Sequence, residues 1–160
     1  MKTIQLTQGQ VAKVSDEWYE ELNKFKWCAA YFQDIKSFYA VRHSSKLLGK
    51  RKLIMMHRVI AGTPEGMETD HKDGDTLNNL PDNLRNSTHA QNKCNSGKYA
   101  NNTSGFKGVV AVGCRWIAQI TVDRKTIYLG SYSIPEEAAL AYNEAAKKCR
   151  GDFAKLNEDV

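Results

Sequence analysis

Apolar and polar positions alternate in short runs through the first 54 residues. Val11-Ala12-Lys13-Val14 and Ser37-Phe38-Tyr39-Ala40-Val41-Arg42 have the alternation of half-buried strands. Between them the period lengthens. Trp18, Leu22 and Phe25 recur at i, i+4 and i+7, which predicts a helix through Asp16–Leu22 with those three side chains as core. Ser15 or Asp16 is the candidate cap, and Asp16 and Glu17 fall in the first turn, where the helix dipole favours acid. Met55–Ile60 reads as a short helix ended by Gly62 and Pro64. The apolar pattern then fails. Residues 67–95 are too polar for ordinary core, yet they still carry element signals. Residues 67–71 and Leu84–Ser87 suit short strands, and Lys72-Asp73-Gly74-Asp75 has turn composition. Thr88 with Gln91 three residues on is a capping box, opening a helix to about Asn95 that Gly97 stops.

Residues 96–105 have linker composition, and clean patterning resumes after them. Phe106–Val112, Arg115–Val122 and Thr126–Leu129 are expected strands, with turns at Gly113 and Asp123-Arg124. Ser133-x-x-Glu136 is a second capping box, opening a helix through Arg150 that ends at Gly151. Ala138, Tyr142, Ala145 and Cys149 form its expected buried stripe. In the central strand Trp116, Ala118 and Ile120 share one face, and Arg115, Ile117, Gln119 and Thr121 share the other. One helix covers one face, so the second face is free to bind a partner. The expected class is α+β: a small β-rich N-terminal unit, a strand–loop–strand–helix unit, then a three-stranded antiparallel sheet backed by one helix.

Composition narrows the function. An apolar share of 41% implies a modest or divided core, and a net charge of +5 favours a polyanionic partner. No apolar run approaches the roughly 20 residues that span a bilayer. The first ten residues lack the apolar centre of a signal peptide, so a cytoplasmic, non-secreted protein is expected. Cys28, Cys94, Cys114 and Cys149 are scattered, without the paired spacing of a zinc or redox motif. Lys46–Lys52 has the composition of a basic hairpin tip, with Lys50 and Arg51 as candidate phosphate contacts.

The polar stretch has the composition of a hydrolytic site. Phosphodiester hydrolysis needs an activated water, a base, and positive charge on the phosphate and leaving oxygen. A hard cation asks the protein for only one or two oxygen ligands. Asp70 and the amide oxygen of Asn92 are the candidate ligands, and His71 is the candidate base because imidazole titrates near neutrality. Asp70 and His71 are adjacent, so on a regular strand they face opposite sides; a twist or the strand's end must bring both into one site. His89, three residues before Asn92, competes for the third position. His57 is expected to be a packed histidine and is a weaker candidate ligand.

These residues resemble the His-Asn-His (HNH) nuclease motif. His71, Asn83 and Asn92 match its three positions, and the element order is that of the ββα-metal fold. The flanks resemble the phage and intron-encoded homing branch: Met56-His57-Arg58, Gly66-Met67-Glu68, Asp70-His71-Lys72-Asp73-Gly74-Asp75, Asn78-Asn79, Asn83-Leu84-Arg85 and Gln91-Asn92. The resemblance implies that Asp70 and Asn92 hold Mg²⁺ or Mn²⁺, that His71 is the general base, and that Asn83 pins the polar loop; Arg85 is a further candidate. Residues 104–157 resemble the plant ethylene-response-factor type (AP-two) DNA-binding domain. The matches are Gly105-Phe106-Lys107-Gly108-Val109, Trp116-x-Ala118-x-Ile120, Leu129-Gly130-x-Tyr132, Glu136-Glu137-Ala138-Ala139, Ala141-Tyr142, Ala145-Ala146, Gly151 and Ala154-x-Leu156-Asn157. In that family the sheet lies in the DNA major groove. Here Val110, Val112 and Thr126 stand where plant relatives hold contacting arginines, which leaves Lys107, Arg115, Gln119, Lys125 and Tyr128 as candidate contacts.

The combined expectation is a metal-dependent DNA endonuclease of phage or mobile-element type, acting in the host-cell cytoplasm if phage-encoded. Its domains are a nuclease domain over 1–95, a linker over 96–105 and an AP-two-like domain over 106–160. Within the nuclease domain, residues 1–54 are β-rich and residues 55–95 form the approximate ββα-metal core. The alternative is a non-catalytic DNA-binding regulator with a relic nuclease unit. Double-stranded DNA is the expected partner, with no membrane, no obligate protein partner, and a monomer rather than a dimer.

Overall fold

The computed structural model describes residues 1–45, 51–98, 102–158 and 160. The basic tip, including Lys50, lies outside these residues, whereas Arg51 is within them and exposed. The chain divides into two compact units, Met1–Asn92 and Lys93–Val160. No helix among the described residues is long and apolar enough to cross a membrane.

In the first unit β1 (Lys2–Gln5) and β2 (Val11–Val14) form an antiparallel pair, followed by α1 (Asp16–Leu22). Then β3 (Cys28–Phe32), β4 (Ser37–His43) and β5 (Leu53–Met55) form a three-stranded antiparallel sheet in sequence order. The short α2 (Met56–Ile60) leads to a second antiparallel pair, β6 (Glu68–His71) and β7 (Leu84–Ser87), and then α3 (His89–Asn95), whose residues from Lys93 onward fall in the second unit. The core gathers one or two side chains from each of β1, β2, α1, β4, α2 and β7, with Trp27 from the segment before β3: Ile4, Ala12, Val14, Leu22, Trp27, Ala40, Met56, Ile60 and Leu84. Trp27 donates its indole N–H to the Leu22 carbonyl at 2.9 Å, so the buried ring leaves no polar atom unsatisfied and closes the C-terminus of α1.

Two local expectations change. Phe25 is exposed, because the helix ends at Leu22 before reaching it; the Arg42 guanidinium lies over one face of the ring, 3.9 Å from its centroid. Ser15 occupies the cap position of α1 but makes no capping bond through its hydroxyl.

In the second unit β8 (Val109–Val112), β9 (Arg115–Val122) and β10 (Lys125–Tyr132) form an antiparallel meander with β9 in the centre. The helix α4 (Pro135–Arg150) packs on one face. Val109, Ala118 and Ile120 meet Ala138, Ala139, Tyr142 and Ala146 there. Small helix residues let the helix approach the sheet closely. Residues 106–108 stay outside β8, since Gly108 takes a φ of +76° and breaks the extended run. β10 runs longer than expected and carries a bulge between Tyr128 and Gly130.

The start of α4 also differs. Ile134 is the cap residue with no side-chain bond, and Pro135 stands in the first turn, where its fixed φ suits a helix and its missing N–H costs nothing. The buried face is Ala138, Ala139, Tyr142, Asn143 and Ala146, whereas Cys149 is exposed. The face is rotated toward Asn143 because the C-terminal segment returns along that flank: Asn143 donates to the Asn157 carbonyl at 3.0 Å, and its Oδ1 accepts the Asn157 N–H at 2.8 Å.

Candidate active site

The polar loop between β6 and β7 is built by its own side chains. Gly74 closes a turn by donating its N–H to the His71 carbonyl at 3.0 Å, with a φ of +83° that a side chain would strain. Asn83 spans the loop. Its Nδ2 donates to Asp73 Oδ1 at 2.9 Å and to the Asn78 carbonyl at 2.8 Å, while its Oδ1 accepts the Asp73 N–H at 3.1 Å. Burial pushes the Asp73 carboxyl up, but hydrogen bonds from Asn78, Asn83 and the Asp75 N–H outweigh it and hold the group below the usual range. The loop docks on β2: Lys13 donates its N–H to the Leu77 carbonyl and accepts that of Asn79, both at 2.9 Å. These bonds fix both ends of a stretch that has almost no apolar side chain to bury.

β6 presents its carboxylates toward β7 and α3. Asp70 faces Arg85 across the ladder, and the guanidinium reaches Asp70 Oδ2 through Nε at 2.7 Å and Nη2 at 2.5 Å. Glu68, two residues earlier and so on the same face, receives His89 Nδ1 at 2.8 Å and Asn92 Nδ2 at 2.6 Å. The Asn92 bond, then the His89 bond, hold the Glu68 carboxyl below its usual range. The capping box fixes the helix that brings these residues in. Thr88 N–H donates to Gln91 Oε1 at 2.9 Å, and the Gln91 N–H donates to Thr88 Oγ1 at 3.3 Å.

His71 ends β6 and meets a different set of neighbours. It is 4% exposed, and its Nε2 lies 3.3 Å from Asn79 Oδ1. Since Asn79 donates through Nδ2 to the Leu77 carbonyl, its Oδ1 is the acceptor, Nε2 of His71 carries the hydrogen, and Nδ1 holds the ring's basic lone pair. The rings of His57 and Tyr39 stand at 5.2 Å and 6.0 Å from that of His71. Burial lowers the His71 pKa, opposed by the Asn79 bond and by the charges of Asp73, Asp70 and Asp75. Burial, with His71 and Arg58 next in order, drives His57 down to about 3. Burial thus favours the neutral form of both imidazoles, the form a base needs before it accepts a proton. His57 is 5% exposed, and among the described residues its buried Nδ1 has no hydrogen-bond partner.

The donor chemistry fits a hard cation. Asp70 and Glu68 offer carboxylate oxygens. The Asn92 amide is turned with its nitrogen on Glu68, so its oxygen is the remaining donor. Among the described residues no group of three or more His, Cys, Asp and Glu side chains is gathered, so the set is one of few oxygens rather than a closed cage. Asp70 and His71 point to different neighbours, as strand alternation dictates. Tyr39 links the two sets: burial raises its pKa first, then the charges of Asp70 and Glu68, while its ring faces His57 and His71. The sequence pattern alone did not single out Glu68, Tyr39 or Asn79 as site residues. The signal for Glu68 was present, because its i, i+2 spacing from Asp70 puts both on one face; Tyr39 lies on β4 and only folding brings it here.

On the second unit the free face of the sheet carries Val110, Val112, Arg115, Gln119, Thr121, Thr126 and Tyr128. Gln119 is paired across the ladder with Tyr128, which is 62% exposed. Arg115 is anchored on Ser131, donating through Nε to its hydroxyl at 2.9 Å and through Nη2 to its carbonyl at 2.7 Å. Two expected contacts lie elsewhere. Lys125 pairs with Val122 at the hairpin end, which puts it on the helix side of the sheet. Lys107 precedes β8 and turns its ammonium onto the Cys94 and Ser96 carbonyls.

A model of the HNH endonuclease family matches residues 55–94. An uncharacterized HNH endonuclease of Acanthamoeba polyphaga mimivirus is 31% identical over 158 residues, 94% of this chain and 76% of that protein. Protein 3.8 of Escherichia phage T7 is 33% identical over 95 residues, 58% of this chain and 78% of the phage protein. The ethylene-responsive transcription factor ERF025 of Arabidopsis thaliana is 42% identical over 64 residues, 39% of this chain; the chain spans 26% of that plant protein's length. Fold and likeness together define a nuclease-type unit followed by an AP-two-type unit. The chain belongs to the HNH endonuclease family.

Proposed function

We propose that the chain is a metal-dependent DNA endonuclease of phage or mobile-element type, in which the C-terminal sheet holds duplex DNA and the β6–loop–β7–α3 unit hydrolyses a phosphodiester bond. The observation that carries this reading is the buried His71, its Nε2 3.3 Å from Asn79 Oδ1, at the end of a strand whose other face supplies Asp70. His71 Nδ1 takes the proton from the attacking water. Asp70 and the Asn92 oxygen would hold Mg²⁺ or Mn²⁺, which would supply positive charge for the phosphate and the leaving oxygen. Arg85 orients the Asp70 carboxylate, Glu68 orients the Asn92 amide, and Asn83 keeps the loop that places His71. The family model and the mimivirus relative support a nuclease, and the plant factor's likeness supports a DNA-binding role for the sheet. On that sheet Gln119 can pair with adenine and the valine methyls can meet thymine methyls, with Tyr128 and Arg115 beside them.

Supercoiled plasmid tests the reading. Wild-type protein nicks it with Mg²⁺ or Mn²⁺ and not with chelator present. His71→Ala lowers the nicking rate by about 10²–10⁴-fold while duplex binding persists. Wild-type nicking by His71→Ala would remove the base assignment, and wild-type protein inert with every divalent metal would leave the non-catalytic DNA-binding regulator.

A further inference from the structure

A cleft of about 530 Å³ opens within the second unit, lined by residues of the 93–97 segment, residues 102–103, the start of β8, and β9. Clefts of this order accept ligands the size of a mononucleotide. Among the described residues its lining includes three cations, Lys93, Lys107 and Arg150, and no aspartate or glutamate. Two of the three cations are held by neutral acceptors. Lys107 Nζ donates to the carbonyls of Cys94 at 2.9 Å and Ser96 at 2.5 Å. Arg150 donates to the Tyr142 hydroxyl and the Thr121 carbonyl, both at 3.0 Å. Such bonds aim the charges without cancelling them. Burial, and then the nearby Arg150 charge, lower the Lys107 pKa to about 8, so the ammonium is still protonated at neutral pH and confined beside a like charge. An anion in the cleft relieves that repulsion.

Gly108 makes room at the same place. A Cβ there would lie 2.0 Å from the Tyr142 ring and 2.7 Å from the Gln119 carbonyl oxygen, so only glycine lets the buried tyrosine reach the strand. The lining also includes Val109, Val110 and Ile120, which give it an apolar wall, and Gln119. A cationic rim beside an apolar wall is the complement of a nucleotide, phosphate against the one and base against the other.

We propose that this cleft binds the phosphate of a nucleotide unit, with Lys93, Lys107 and Arg150 around the phosphate. The duplex form of the proposal rests on the reading of this unit as a DNA-binding module; the free-nucleotide form does not. Lys93 is exposed and its side chain makes no described hydrogen bond, so its replacement spares the fold.

The test uses the full chain with chelator. An end-labelled duplex is titrated by fluorescence anisotropy across monovalent salt with wild type, Lys93→Gln and Lys93→Arg. Inorganic phosphate and dAMP are titrated against ¹⁵N-labelled protein, following the Gly97 and Gly108 amides. Lys93→Gln is expected to flatten the slope of log affinity against log salt by about 0.9 and to weaken duplex binding roughly fivefold near 0.15 M salt, with Lys93→Arg restoring both. Amide shifts with dAMP that depend on Lys93, alongside an unchanged duplex slope, assign the site to free nucleotide instead. Neither arm responding to Lys93 overturns the proposal. A wild-type chain that binds no duplex but still shows the Lys93-dependent shifts removes the DNA reading of the unit and keeps the cleft.

Discussion

Strands β6 and β9 solve opposite problems with the same pleat. In β6 three of four residues, Thr69, Asp70 and His71, are buried, and none is apolar. In β9 the buried positions are Ala118 and Ile120, while alternate residues Arg115 and Thr121 are exposed. Burying polar groups costs free energy unless each finds a partner. β6 meets that cost with Arg85, Asn79 and the loop bonds around Asp73, a network whose members are also the candidate catalytic groups. β9 avoids the cost by leaving its polar face in water, free for a partner. The first unit therefore couples its chemistry to its stability, and the second separates the two.

Three measurements break or sharpen that contrast. The largest effect belongs to Asp70→Ala, which takes the carboxylate away from a guanidinium only 13% exposed. It should destabilise the first unit by about 3–5 kcal/mol. Urea unfolding reads this through Trp18 and Trp27 in the first unit against Trp116 in the second; an unchanged midpoint in the first unit would show that the pair is dispensable for the fold. Gln119→Ala should do the reverse, costing about 1–3 kcal/mol of binding to adenine-containing duplex while leaving both urea midpoints in place. A shifted midpoint would make Gln119 a structural residue and weaken the contrast. The smallest per-step effect is that of acid. His57 has a folded pKa near 3 against 6.5 for the free side chain. Above about pH 6.5 both folded and unfolded forms are neutral at this site, so it adds no pH dependence. Below that the unfolded chain takes up a proton that the folded chain refuses, and stability falls by about 1.4 kcal/mol per pH unit toward pH 3. His71 is shifted in the same direction. All four histidines precede Lys93, so the second unit gains no histidine slope. A first-unit midpoint flat between pH 6 and 4 would show that His57 is solvated.

Much of this was legible in the chain. Local signals placed α1, β2, β4, β6, β7, the capping box of α3 and the turn at Gly113, because each depends on contacts within a few residues. The loop's tie through Asn83 was visible only by resemblance, and the rotation of α4 toward Asn143 was not visible at all. That rotation follows from a C-terminal segment that returns from outside the helix.

The sequence by itself determined which chemistry is present. Asp70, His71, Asn83 and Asn92 stand in a stretch with too little apolar surface to be core, and the alternation along β9 leaves one face polar. The tertiary structure decided which partners those groups meet. It set Asp70 on Arg85, Asn92 on Glu68 and His71 on Asn79 beside His57 and Tyr39, and it moved Lys107 off the sheet into a cationic cleft. The physical reason is that residue type and spacing fix a side chain's direction only relative to its own strand or helix. What it touches depends on elements far away in sequence, and no local period records them.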